Sequence, residues 1–320
     1  MIKVGAIVNP ASHQNKSSLD RLTKAFAEWP EVSQVHLEGM AGLSEAIDDF
    51  ARREIGLVIV CGGDGTVQAV LTELFARRPA AEAPQLAVLG RGMTNMIASD
   101  VGLCGNPPRS LARLKRCLRA ADAGDRVVRR KLLRMENAAG FPPQIGTFFG
   151  GAGIYRAIEY CHQKIHSMRI GGELATALTL ANLLLRWPLR HRESDPFFRD
   201  DKIGIAIDGE DHGRNSYLLV LATTLDRLIL NARPFWNQDV GGLRFTTVAY
   251  PPRRLAGSVL KVLYGGNDRK LPADCYESHS ARSVTLALES PFTLDGQLFQ
   301  PDPAKPLVLT ADAEAEFVRP

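Results

Sequence analysis

Apolar and polar positions along the first 135 residues fall into a repeating two-part pattern. Short apolar runs at Ile2 to Val8, Val32 to Leu37, Leu57 to Cys61 and Gln85 to Leu89 are each followed by a helical stretch. The first helix is opened by the capping sequence Ser17-Ser18-Leu19-Asp20 and runs to Trp29. Others are expected from about Ser44 to Arg53, from Val67 to Arg77, from Met96 to Val101 and from Pro108 to Ala121. A strand-then-helix repeat predicts a parallel sheet covered on both faces. Strand ends in such sheets converge on one edge, so loops at Asn9, Asp64 and Asn95 are expected to share a crevice.

From Arg126 the pattern changes to shorter alternating segments with hairpin signals, after a boundary at Asp122-Ala123-Gly124-Asp125. Strands are expected over Val127 to Met135, Gln144 to Phe149, Lys202 to Asp208, Tyr217 to Thr223, Gly242 to Tyr250 and Ser283 to Glu289. Asp208-Gly209 and Asp295-Gly296 are tight-turn dipeptides. The fold class expected is therefore α/β. An N-terminal three-layer α/β domain with a parallel sheet (1–125) precedes a β-rich antiparallel, sandwich-like second domain with helices (126–305).

The segment Cys61-Gly62-Gly63-Asp64-Gly65-Thr66 joins one apolar strand directly to a helix. Gly62, Gly63 and Gly65 are expected to take backbone angles closed to other residues and to let a polyphosphate approach the main chain, with unpaired helix N–H groups facing the anion. A carboxylate among such amides holds a metal ion, orients a hydroxyl or takes its proton. The plainer alternative is a tight turn in which Asp64 caps a helix.

Gly-Gly-Asp-Gly-Thr resembles the signature of diacylglycerol kinases, sphingosine kinases, related bacterial lipid kinases and, more distantly, NAD kinases. The strand ending in Asn9-Pro10, with Lys16 in the polar loop beyond, is similar to the Asn-Pro entry loop of lipid kinases, and Gly90-Arg91-Gly92-Met93-Thr94-Asn95 to their Gly-Thr-x-Asn-Asp-Phe-Ala segment. The likeness continues through Phe148 to Ile154 and ends at Asp295-Gly296-Gln297. It implies an ATP- and Mg2+-dependent kinase acting on a hydroxyl of a diacylglycerol-like or other long-chain lipid. Asp64 and Asp295 would be catalytic, and Asn9, Lys16, Gly62, Gly63, Gly65, Thr66, Gly92 and Asn95 would contact the nucleotide. Asp239 is the metal candidate, by likeness to an Asp-Gly-Leu-Leu segment that Val240 interrupts here. The final strands, Leu307 to Thr310 and Glu316 to Val318, would close the second domain or return to complete the first.

Departures from the family pattern bear on activity. Gln68 and Ala69 stand where Asn-Glu is usual, Met93 replaces a Thr, Met96 an Asp, and Gln297 the acid of Asp-Gly-Glu. An amide takes no proton, so the base must be Asp64 or Asp295, or the reaction relies on positioning and charge stabilisation. Two other functions follow: a catalytically degenerate nucleotide- or lipid-binding protein on the same fold, and a soluble-metabolite kinase such as NAD kinase. For Asp295 the alternative is a hairpin tip with no catalytic part.

Composition narrows the partners. The 320 residues carry 39 basic and 35 acidic side chains, so bulk charge gives no argument for nucleic acid. Basic clusters at Arg126, Arg129, Arg130, Lys131 and Arg134 and at Arg186, Arg190, His191 and Arg192 suit either anionic lipid headgroups or, more simply, a solvated strand edge and a helix end. His162 and His166 have metal-ligand spacing but no third ligand, which favours an exposed helix face. The apolar stretch Leu174 to Leu185 is too short to cross a bilayer and either packs on the sheet or lines an acyl groove. Five scattered cysteines and no cleavable leader point to the cytoplasm, with peripheral contact at the inner membrane face allowed and a homodimer compatible.

Overall fold

Strands β1 (Val4–Val8) and β3 (Leu57–Gly62) are buried at every position, as parallel strands must be when helices cover both faces of their sheet. The computed structural model describes residues 2–12, 16–39, 41–92, 94–103, 105–119, 126–165, 199–236 and 241–319. They divide into two units, Met1–Arg130 with Ala313–Pro320, and Lys131–Asp312.

In the first unit β1 and β3 are joined by β2 (Ser33–His36) and β4 (Gln85–Gly90), all parallel, in the order β4–β3–β1–β2. The helices are α1 (Lys16–Ala27), α2 (Leu43–Arg52), α3 (Asp64–Arg77), α4 (Met96–Val101) and α5 (Pro107–Arg119). Leu22 and Phe26 of α1 and Leu111 and Leu114 of α5 share one buried cluster with Val4, Ala6, Val8, Ile59, Cys61, Ala87 and Leu89. On the opposite face α2 lies close enough that a Cβ at Gly5 would sit 2.7 Å from the Phe50 ring. Glycine at that position sets the helix-to-sheet distance. The last strand, β15 (Leu307–Val318), pairs Phe317 with Leu86 of β4 in parallel.

In the second unit the strands are antiparallel. They comprise β5 (Val127–Glu136), β6 (Gln144–Gly146), β7 (Phe148–Ala152), β8 (Asp201–Ile207), β9 (Glu210–Thr223), β10 (Leu243–Ala249), β11 (Tyr276–Ala281), β12 (Ser283–Ala287), β13 (Phe292–Leu294) and β14 (Gln297–Phe299). Among the described residues its α-helices are α6 (Gly153–Ile165) and α7 (Leu255–Tyr264). Phe149, Phe245, Phe292 and Leu294 are fully buried in its main core. The chain passes between the units within β5 and within β15.

The expected α/β-then-β-rich architecture is the one the chain adopts. Several boundaries differ for physical reasons. Helix α1 starts at Lys16, so Ser17 and Ser18 lie in its first turn instead of capping it from outside, and Lys16 opens a helix instead of sitting in a loop. The strand expected over Gln144 to Phe149 breaks at Thr147, whose N–H and hydroxyl donate to the Asp295 carboxylate at 2.8 and 2.7 Å. The two short terminal strands are one, β15. The Asp208-Gly209 turn forms as expected, with φ of 49° and 89°, and the Asp208 carboxylate also accepts the amides of Arg282 and Ser283 at 2.8 Å each.

The second unit carries a buried ion pair between Arg156 of α6 and Asp201 of β8, whose side chains are 8% and 6% exposed. The other Arg156 amino group donates to the Arg199 carbonyl at 2.8 Å, and Ser290 donates to Asp201. Removing one partner leaves an uncompensated buried charge, so Asp201→Ala is expected to cost about 3–5 kcal/mol of unfolding free energy in urea titration. An unchanged midpoint would show the pair to be without structural weight.

Candidate functional site

Three loops leave the C-terminal ends of β1, β3 and β4, and side chains tie them together. Asn9 follows β1 and extends its ladder, its N–H donating to the Cys61 carbonyl at 3.0 Å. Its side-chain oxygen accepts the Ala11 N–H at 3.0 Å, and its amide nitrogen donates to Thr66 Oγ1 at 2.9 Å. Asn9 and Thr66 thus lock the β1 exit to the first turn of α3.

The glycines of the second loop work differently from expectation. None of Gly62, Gly63 and Gly65 has positive φ, and Gly63, the N-cap of α3, is extended at φ −86° and ψ −179°. At Gly62 and Gly63 what forbids a side chain is proximity. A Cβ on Gly62 would lie 2.5 Å from Thr66, and one on Gly63 would lie 2.9 Å from the Cα of Gly92. Gly63 and Gly92 are therefore glycines because two loops press main chain against main chain.

Asp64, the first residue of α3, does not cap its own helix. Its carboxylate spans to the next loop, where Oδ2 accepts the Thr94 hydroxyl at 2.5 Å and the Met96 N–H at 3.0 Å, while Oδ1 accepts the Ile97 N–H at 3.0 Å. Those amides are the opening donors of α4, which have no acceptor inside their helix. Both oxygens of Asp64 are engaged, and the residue is buried. Burial pushes its carboxyl above the ordinary aspartate range, opposed by the bonds from Thr94, Ile97 and Met96.

Asn95 precedes α4 in the left-handed conformation, φ 46° and ψ 39°. Its side chain folds back on Gly92, accepting that N–H at 2.6 Å and donating to that carbonyl at 2.9 Å, which closes the loop on itself. Met96, standing where the family has an acid, is buried. Arg91, in the same turn, is fully buried, and none of its three guanidinium nitrogens has a hydrogen-bond partner. Its N–H donates to the Gly62 carbonyl at 2.8 Å, next to the α3 turn. Burial pushes the neighbouring Cys61 thiol up to about 12.

In the second unit Asp295 and Gly296, with φ of 46° and 83°, make the two-residue turn between β13 and β14. The Asp295 carboxylate nevertheless points inward, accepting from Thr147 N and Oγ1 and from Phe148 N at 3.0 Å. Gln297, in place of the family acid, is exposed on β14. Asp239, His166 and the 174–185 stretch lie outside the described residues. Arg129, Arg130 and Arg134 each pair with a carboxylate, respectively Glu316, Asp100 and Glu136 at 3.0, 2.9 and 2.7 Å. Among the described residues no group of three His, Cys, Asp or Glu side chains is arranged to hold a metal ion, and no helix is long and apolar enough to cross a membrane.

Residues 3–125 match the family model of the diacylglycerol kinase catalytic domain. Over nearly full length the chain is similar to a solved diacylglycerol kinase from Bacillus anthracis, with 17% identity, 99% of this chain and 97% of that chain covered, and a TM-score of 0.62. Another solved protein of that organism, named as a candidate diacylglycerol kinase, gives 18% identity, 99% and 95% coverage and a TM-score of 0.66. These two likenesses establish the fold. None of the curated proteins compared matches the chain.

The bonds at Asp64 predict a signed stability effect. Asp64→Asn turns an amide N–H toward one of three donors, which costs about 1–3 kcal/mol. With its folded-state pKa raised, Asp64 contributes stability that is fully present below the ordinary aspartate value of about 4 and is lost as pH rises through the raised value. The deficit of the Asn variant relative to wild type should therefore shrink with rising pH in urea titrations from pH 4 to 8. A deficit that grows with pH would contradict the raised value.

Proposed function

We propose, since residues 3–125 match the family model of the diacylglycerol kinase catalytic domain, that the chain is an ATP-dependent kinase that transfers the γ-phosphoryl group to a hydroxyl of a diacylglycerol-like or other long-chain lipid. The observation that carries the proposal is the loop cluster at the ends of β1, β3 and β4. Asn9–Thr66, Asp64–Thr94 and Asn95–Gly92 hold three loops in one arrangement at the first turn of α3. The helix start leaves N–H groups for phosphate oxygens, and the Gly63–Gly92 contact keeps bulk away from them. Phosphoryl transfer asks mainly for positioning and charge stabilisation, which such a cluster can supply without a strong base.

In this reading Asp64 acts through position. Its bonds to Thr94, Met96 and Ile97 fix where α4 and the 92–95 loop stand, and its two oxygens are already occupied. The described side chains do not fit a protein-built magnesium site. Asp295 is likewise held by three donors. These two engaged carboxylates, with Gln297 beside the turn, favour as the second reading a nucleotide- or lipid-binding protein on the same fold with little turnover.

Labelled ATP, magnesium and fractionated lipids, incubated with the purified full chain, decide between them. The kinase reading expects a labelled lipid, and a faster rate in Gln297→Glu, which puts an acid back on an exposed strand position without disturbing a core. Binding of ATP with no labelled product in wild type or variant would establish the second reading, and label appearing only on added NAD would replace the lipid by a soluble acceptor.

A further inference from the structure

Several buried or partly buried arginines among the described residues have carboxylate partners. Arg156 has Asp201, Arg130 has Asp100 and Arg244 has Asp226. Half-buried Arg269 donates to backbone carbonyls instead, among them those of Gly266 and Phe235, whereas Arg91 has neither kind of acceptor. It is 0% exposed, and Nε, Nη1 and Nη2 all lack a hydrogen-bond partner. A guanidinium does not shed its proton in a protein, and an isolated buried charge is costly enough that native folds pair it or give it a ligand. The titratable neighbour, Cys61, is no counter-ion at neutral pH, because burial holds its thiol at about 12.

The position of Arg91 says what would pair with it. It is the first residue beyond β4, and its N–H continues the ladder to the carbonyl of Gly62, the last residue of β3. It therefore stands between Gly90 and Gly92, directly beside the turn that opens α3. Gly92 touches Gly63 main chain to main chain, and the Asp64 oxygens are spent on Thr94 and α4, so the adjoining loops give Arg91 no carboxylate. The planar five-donor fork of arginine matches phosphate oxygens bidentately.

We propose that Arg91 is a phosphate-binding residue, its guanidinium taking a phosphate group of a ligand seated at the loops after β3 and β4. The donor's polyphosphate and the phosphate of a phosphorylated headgroup share this chemistry; assigning it to the donor rests on the kinase reading above, whereas the phosphate site itself does not.

Thermal unfolding of the full chain with ATP, tripolyphosphate, glycerol 3-phosphate or adenosine, in wild type and Arg91→Met, tests this. At least one of the phosphate compounds is expected to raise the wild-type midpoint saturably, adenosine is not, and Arg91→Met should bind that compound at least tenfold more weakly. Without ligand the Met variant should unfold no earlier than wild type, since it exchanges an unpaired charge for an apolar chain of similar length. A response to ATP and tripolyphosphate places the donor at Arg91, and a response to glycerol 3-phosphate alone places the headgroup there.

Equal affinity in wild type and Arg91→Met overturns the assignment while leaving the kinase reading intact. Arg91-dependent binding of tripolyphosphate by a protein that labels no lipid leaves the site standing and removes the kinase. A wild type indifferent to every phosphate compound overturns the proposal. Should Arg91→Met fail to fold, the 15N resonance of Arg91 Nε in the wild type serves instead. It should shift on saturation with tripolyphosphate or glycerol 3-phosphate, and a resonance unmoved by both refutes the assignment.

Discussion

One carboxylate joins the two helices that follow the central strands. Asp64 belongs to α3, but its acceptors are satisfied by the opening amides of α4 and by Thr94, so the start of one helix is the cap of another. The loops on either side inherit their positions from this bridge. Gly63 and Gly92 meet because the two loops are held at that separation, and Asn95 folds back on Gly92 within the same constraint. Without an acceptor for Met96 and Ile97, α4 would begin with unpaired buried donors, at a cost comparable to several lost hydrogen bonds. An acidic residue in a glycine-rich loop can thus be indispensable for architecture before any part in chemistry is considered.

The same residue shows how far the amino-acid sequence can be read. That Asn9, Asp64, Thr66 and Asn95 belong to one place follows from the order of apolar runs, since a parallel sheet gathers its strand ends. What they bond to does not follow. Besides the Thr94 hydroxyl, the partners of Asp64 are main-chain amides 32 and 33 residues away, which every residue but proline possesses, so no side-chain pattern marks those two. The glycines were legible as glycines, but for a different reason. Tight approach and unusual backbone angles leave the same letter in a sequence, and only the fold separates Gly63, crowded by Gly92, from Gly296 with its positive φ.

Arg91 was invisible for a related reason. Nothing in a Gly-Arg-Gly run marks the arginine as buried, and its burial is a property of the folded chain. Thr147 gives a smaller case: an apolar stretch from Gln144 to Phe149 reads as one strand, yet a carboxylate 148 residues away takes the donors of its middle residue and splits it in two. Long-range polar contacts of this kind override local pattern wherever they are buried, because an unpaired donor there costs more than the strand propensity of a few residues gains.

The path of β15 carries a consequence for biogenesis. Phe317 and Val318 lie in the interior of the first unit, and Glu316 is bonded there by Gln85 and Arg129. The first unit is therefore finished by residues that follow the whole of the second unit in the chain. A ribosome-bound nascent chain lacks that strand until residues 313–320 have cleared the exit tunnel. The early unit must wait, incomplete along the β4 edge of its sheet, while the whole intervening unit is synthesised, which makes that edge a natural place for chaperone holding.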